Sequence, residues 1–206
     1  MAKPLRRSKQ ASKSPARRII GIDPGSLVTG WGVIETRGSS LVHVGHGTIA
    51  SVSADRREQA DRLSFIYRGI QAAIKSYSPD GLSLERIFFA RNAQSALKLG
   101  QARGVALLAA AHAGIPVHEY TASEIKLAVV GYGQATKNQV QRMVSSLLGV
   151  AETMACDASD ALAAAICHLH RQRFQSLAPE AGLEWTASLR RRRWSAAAVK
   201  RLVGHL

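Results

Sequence analysis

Apolar and polar positions alternate along the first part of the chain in a way that predicts three strands, Arg18 to Asp23, Trp31 to Thr36 and Leu41 to Ala50. Glycine-rich turns such as Gly38-Ser39 part them, and such short spacings predict an antiparallel meander. The period then changes. Leu63, Ile66, Tyr67, Ile70, Ile74 and Tyr77 recur every three or four residues, as on one face of a helix, until Ser78-Pro79 stops it. Beyond it Gly81 to Phe89 reads as a strand, Asn92 to Ala113 as an Ala/Leu-rich helix and Ile115 to Tyr120 as a strand. Thr136 to Leu148 and Asp157 to Arg171 read as two further helices. Three strands followed by alternating helices and strands predict an α/β fold, a five-stranded mixed sheet flanked by helices.

With 206 residues the chain is long enough for one domain with a substantial core, and it carries no internal repeat. The periodicity predicts a domain over 18–173. From about Phe174 onward Pro179, Gly182 and the run Arg190 to Arg193 break the pattern. Residues 174–206 are therefore expected to be a basic extension, a linker with a short helix from Ser195 to Val203 at most. Residues 1–17 read as a flexible basic arm. Pro4, Pro15 and a single Leu5 argue against an amphipathic transit peptide, and Ile19, Ile20 and Ile22 before Asp23 are too few for a secretory signal. The longest apolar run, Val105 to Ala111, has seven residues, far below the about 20 of a membrane-spanning helix. A cytoplasmic protein without a membrane partner is expected.

Composition excludes wholesale disorder and collagen-like repetition, with 46% hydrophobic and 20% charged residues. The net charge of +14 matters more once it is located. Residues 1–18 hold seven Lys or Arg and no acid, and residues 171–206 hold eight against two acids. The stretch between them has 13 basic and 12 acidic residues, a net of only +1. Basic arms on a nearly neutral domain suit a polyanion such as nucleic acid, because each neutralised phosphate releases counterions. A solvated tail that aids solubility is the plainer alternative.

The two cysteines, Cys156 and Cys167, lie about 16 Å apart along one predicted helix and cannot bridge each other, which fits a reducing compartment. The histidines do not read as zinc ligands either. His43 and His46 are expected on opposite faces of a strand, and His168 and His170 diverge on a helix.

Chemistry is concentrated in four acids. Asp23 ends an apolar strand inside Gly-Ile-Asp-Pro-Gly-Ser at 21–26, where flanking glycines let a bulky phosphate backbone approach; it could equally initiate an Asx turn. Glu85, between Leu84 and Arg86, is half-buried on a strand and needs a cation, either a metal ion or a base such as Arg86. Asp157 and Asp160 stand three apart at the head of an Ala-rich helix and face one side. Together they make a hard oxygen site suited to Mg²⁺, although Asp157 also reads as an N-cap and Asp160 as a favourable acid in the first turn. A strand Asp, a later strand Glu and a terminal helix Asp pair, in that order around a mixed sheet, form the layout of the ribonuclease-H-like nucleases. There, carboxylates clamp two Mg²⁺ ions about 4 Å apart across a scissile phosphate.

Three strings sharpen this reading: Gly-Ile-Asp-Pro-Gly-Ser at 21, Asn-Ala-Gln-Ser-Ala-Leu-Lys-Leu-Gly-Gln-Ala-Arg-Gly-Val at 92–105, and Asp-Ala-Ser-Asp-Ala-Leu-Ala-Ala-Ala-Ile at 157. They closely resemble the RuvC family of bacterial Holliday junction resolvases, from about Arg18 to Arg171. The resemblance implies a ribonuclease-H-like fold and a crossover junction endodeoxyribonuclease active in recombination and repair. It implies that Asp23, Glu85, Asp157 and Asp160 bind two Mg²⁺ ions per subunit, with Mn²⁺ as a substitute, and catalyse hydrolysis. It also implies that Lys126 and Lys137 contact DNA near the scissile phosphate, and that Phe88 stacks on a base unpaired near the crossover. Stacking of that kind contributes ~1–3 kcal/mol per base. From the residues alone Phe88 reads as core, since Phe88 and Phe89 point to opposite faces of a strand. Arg91, in the same stretch, is a further DNA-binding candidate.

The resemblance further implies a homodimer that nicks two strands of like polarity, a handover from the RuvA and RuvB branch-migration complex, and a modest preference for T-rich sites. The helix at 92–113, with Gly100 and Gly104 four apart, is the candidate self-paired surface, or else an internal core helix. The two terminal arms and Arg86 beside Glu85 depart from the family pattern. A junction-binding architectural protein without cleavage is the alternative function, and the set of four acids argues against it. Gly-Ile-Asp-x-Gly also opens the phosphate loops of actin-like ATPases, but the chain is too short for that two-lobed fold.

Overall fold

The computed structural model describes residues 17–50, 59–86, 93–151 and 153–177. Five strands are present in these segments: β1 Arg18–Asp23, β2 Val28–Arg37, β3 Ser40–Ala50, β4 Gly81–Glu85 and β5 Val117–Tyr120. The helices are α1 Gln59–Tyr77, α2 Ala93–His112, α3 Ala122–Val130, α4 Lys137–Leu148 and α5 Cys156–Leu177. The strands form one sheet of order β3-β2-β1-β4-β5. β1, β2 and β3 pair antiparallel, the expected meander, and β4 and β5 add parallel to β1.

Side-chain alternation divides the sheet between two cores. Ile20, Ile22, Val33, Leu82 and Leu84 pack with α1 and α2 on one face. Ile19 and Ile34 pack with α3, α4 and α5 on the other. α5 owes its Ala-rich sequence to its position, because every residue from Ala158 to Leu169 except Asp160 is buried. It lies unusually close to the strands. A methyl group on Gly21 would fall 1.8 Å from the Ala161 carbonyl oxygen, and one on Gly30 would fall 2.0 Å from that of Asp157. Glycine is required at both positions by this approach, not by backbone dihedrals.

Several expectations are corrected. β2 runs from Val28 to Arg37 rather than Trp31 to Thr36, and β5 starts at Val117 rather than Ile115. α5 runs on to Leu177, past Arg171. The periodicity does not predict α3, although its start is a capping box: the Thr121 hydroxyl accepts from the Glu124 amide, and the Glu124 carboxylate accepts from the Thr121 amide. Gly131 closes it in the left-handed conformation at φ 91°. His43 and His46 do not lie on opposite faces; their rings meet at 2.8 Å, Nε2 to Nδ1. A bulge in β3, where Val33 pairs with Gly45 but Ile34 pairs with His43, inserts Val44 and resets the alternation. His168 and His170 do diverge, His168 to the Tyr120 hydroxyl and His170 to the Ala128 carbonyl.

Arg17, read as the end of the arm, already bonds to the sheet, next to the end of β2: its carbonyl accepts from the Thr36 amide at 2.8 Å. Residues 1–16, the stretch from Ile87 to Asn92 with Phe88 and Arg91, and the expected helix Ser195–Val203 lie outside the described residues.

Candidate active site

Register places the first two acids. Ile22 of β1 is paired with Leu84 of β4, so the next residues, Asp23 and Glu85, stand side by side at the carboxyl ends of adjacent parallel strands. Neighbouring strands are about 4.8 Å apart. Both acids belong to the α5 face, since Ile22 and Leu84 beside them are buried against α1 and α2. Ser83, two residues before Glu85, confirms the facing by donating its hydroxyl to the Ala164 carbonyl of α5 at 2.7 Å.

α5 brings the second pair. The Asp157 backbone sits against Gly30, the partner of Asp23 across the β1–β2 ladder, so the start of the helix lies directly over the strand end. Asp157 is inside the first turn, because the helix begins at Cys156; the N-cap expected at Asp157 is one of the readings the structure replaces. The loop after Asp23 is tied by Thr29, whose hydroxyl donates to the Gly25 carbonyl at 3.0 Å.

The electrostatics follow from this crowding. Burial, then Asp160, Asp157 and Glu85, push the Asp23 carboxyl up from 3.8 to about 7, against a smaller opposing pull from Lys137. Glu85 is exposed at the end of β4 rather than half-buried as expected, but the groups crowded around its carboxyl still raise its pKa, by desolvation and by Asp160, with Lys126 and Lys137 opposing. Lys137 donates to Asp160 Oδ2 at 2.6 Å, and this contact raises its own pKa. The first residue of α4 thus reaches the α5 pair, held by a second capping box at Thr136 and Gln139. Lys126, on the unexpected α3, also pulls the Glu85 carboxyl down. Arg86 does not pair with Glu85 but faces Glu119 of β5, on the opposite side of the sheet.

All four expected acids and both lysines are therefore gathered at one end of the sheet. The acids present only carboxylate oxygens, the donor set of a hard divalent cation. Their mutual repulsion, visible in the raised Asp23 and Glu85, is what such a cation would relieve. Among the described residues no three acidic, histidine or cysteine side chains converge on a single ligating point, and Asp160 is instead turned to Lys137.

Comparison with known proteins decides the family. The model of the family "Crossover junction endodeoxyribonuclease RuvC" matches residues 19–168. The chain belongs to the RuvC family. It is 57% identical to the RuvC of Geobacter sulfurreducens over 151 residues, which are 73% of this chain and 91% of that one. It is 54% identical to the RuvC of Pelobacter propionicus over 153 residues, 74% and 86% of the two chains. Among solved structures it is similar to Thermus thermophilus RuvC in complex with Holliday junction substrate, with a TM-score of 0.73, 29% identity, and coverage of 78% of this chain and 97% of that one. RuvC nucleases are metal-dependent, and the five-stranded mixed sheet described above is their ribonuclease-H-like fold.

Proposed function

We propose that this chain, a DNA-cleaving hydrolase of the RuvC family, resolves four-way DNA junctions by paired nicks on strands of like polarity. The observation that carries the reading is the site itself: four carboxylates from two strand ends and one helix start, faced by two lysines, at one end of the sheet. Asp23, Glu85, Asp157 and Asp160 hold two Mg²⁺ ions, with Mn²⁺ able to replace them. Bound there, the metal supplies a water nucleophile at neutral pH and offsets charge on the leaving oxygen.

The rest falls to the chain. Asp23 must be ionised to ligate, and because its carboxyl in the metal-free site is raised to about 7, metal and proton compete for it. Lys137, more exposed than Asp160, turns its ammonium from that carboxylate to a phosphate oxygen when DNA is present. Lys126 contacts the backbone beside Glu85. Phe88 and Arg91, which follow Glu85 in the sequence, act on the DNA as well: Phe88 stacks on an unpaired base and Arg91 meets a phosphate.

Paired nicks need two subunits. α2 buries Ala102, Ala106, Ala109 and Ala110 but turns Leu97, Gly100, Gly104 and Leu108 outward at helical spacing. Leu97 is 63% and Leu108 49% exposed, and nothing lies within 4 Å of a methyl placed on either glycine. A second copy seated on this stripe gives the symmetric dimer. No helix among the described residues is long and apolar enough to cross a membrane; action in the cytoplasm with RuvA and RuvB completes the proposal.

A supercoiled plasmid that extrudes a cruciform tests it. Two nicks within one binding event linearise the plasmid, whereas a single nick releases the supercoiling, reabsorbs the junction and leaves an open circle. Mg²⁺-dependent linear product is expected. Open circle alone contradicts paired cutting, and binding without any cut supports an architectural protein instead.

A further inference from the structure

Glu85 is the last residue of β4, and its carboxylate is pressed by desolvation and by Asp160. A strand end under repulsion needs an anchor, and one is present on the face of the sheet away from the site. Arg103, in the middle of α2, donates from Nη1 to the Glu85 backbone carbonyl at 2.5 Å. Its Nη2 donates to the Glu119 carboxylate of β5. Glu119 is the register partner of Leu84, and the Arg86 amide donates to the Tyr120 carbonyl at 2.7 Å, so one guanidinium ties together the ends of β4 and β5. The Arg103 side chain is only 14% exposed.

The geometry points to Arg103 as a positioning residue that sets the height and tilt of the Glu85 carboxylate from behind the sheet. This inference rests on the reading of Glu85 as a metal-holding acid. Arg103 acts through the main chain and not by charge: the cations that pull the Glu85 pKa down are Lys126 and Lys137. The planar fork suits the task, since two acceptors on different strands are spanned by one rigid group, which a lysine ammonium on a flexible stem cannot reproduce. The clamp also explains a cationic residue on the inner half of a helix whose neighbours Ala102 and Ala106 are fully buried.

The test compares Arg103→Lys, Arg103→Met and Glu119→Gln with the wild type in Mg²⁺-dependent junction cleavage, junction binding in EDTA and thermal melting. Arg103→Met is expected to lose cleavage rate by ~10²-fold, the scale of a misplacement of about 1 Å, and to need several-fold more Mg²⁺ for half-maximal rate, with binding unchanged. Arg103→Lys, which keeps the charge and the packing, should stay folded yet also need more Mg²⁺ than wild type, by less than Arg103→Met. Glu119→Gln keeps an acceptor for Arg103 and should cleave within a few-fold of wild type. A wild-type Mg²⁺ requirement in Arg103→Lys overturns the inference, as do equal losses in Glu119→Gln and Arg103→Met. A wild-type protein that binds junctions without cutting them sinks the underlying reading instead.

Discussion

Gly21→Ala isolates the packing that assembles the site. The new methyl carbon would lie 1.8 Å from the Ala161 carbonyl oxygen and 2.7 Å from its carbon, both main chain, so no side-chain rotation relieves the clash. A carbon–oxygen contact needs about 3.3 Å, so strand and helix must separate by about 1.5 Å. Overpacking of a rigid core costs ~1–3 kcal/mol and here should reach the upper end, a fall in melting temperature of roughly 6–12 °C for a domain of this size. The same separation lifts Asp157 and Asp160 away from Asp23. Displacement by about 1 Å is worth ~10²-fold in rate, so cleavage should fall at least that far at a temperature where the variant is folded and still binds junctions. Gly32→Ala provides the scale. Its methyl meets the Leu162 side chain at 2.5 Å, which can turn, so its losses should be clearly smaller. A Gly21→Ala protein that melts within about 2 °C of wild type and cuts at a similar rate would refute the argument that α5 is seated through Gly21.

Further outcomes are expected. With Mg²⁺ limiting, cleavage should rise with pH through about 7 as Asp23 ionises, and more Mg²⁺ should move the midpoint to lower pH because metal and proton compete; a flat profile between pH 5.5 and 8.5 contradicts this. The folded-state pKa of Asp23 lies above its usual 3.8, so its ionised form costs stability fully above pH 7, and that cost fades as pH falls toward 4. Asp23→Asn in EDTA should therefore be more stable than wild type at pH 8.5, by the order of 2–4 kcal/mol, with the gain gone near pH 4. Lys137→Ala should slow cleavage by ~10²-fold while changing junction affinity little, and equal losses in the two assays would remove its role at the phosphate. Deleting residues 2–16, with five Lys or Arg, should flatten the salt dependence of DNA binding by up to about four in log–log slope; an unchanged slope reduces the arm to a solubility aid.

Much of this architecture was legible in the chain because alternation and period are local signals. The meander, α1, α2 and the α4–α5 order follow from them. The four acids were legible only jointly, since each has a plain alternative and only their order around a sheet removes it. What stayed hidden depended on tertiary contacts or on short signals. The nine residues of α3 are too few for a clear period, and only the Thr121–Glu124 box and Gly131 mark them. The bulge at Val44 leaves no local mark in the sequence, and it alone brings His43 to His46. Arg103 looks like any helix cation until the strand ends beneath it are known. The pressure on Asp23 likewise arises from groups 62 to 137 residues away in sequence that only folding brings near.

The most direct measurement is cleavage of an end-labelled synthetic four-way junction beside a linear duplex of the same sequence, in Mg²⁺ or EDTA, by the wild type and by Asp23→Asn. The account predicts nicks at symmetric positions in the junction only, dependent on Mg²⁺, absent from Asp23→Asn although that variant still binds. Binding without cutting under every metal tested, or equal cutting of the duplex, would contradict it.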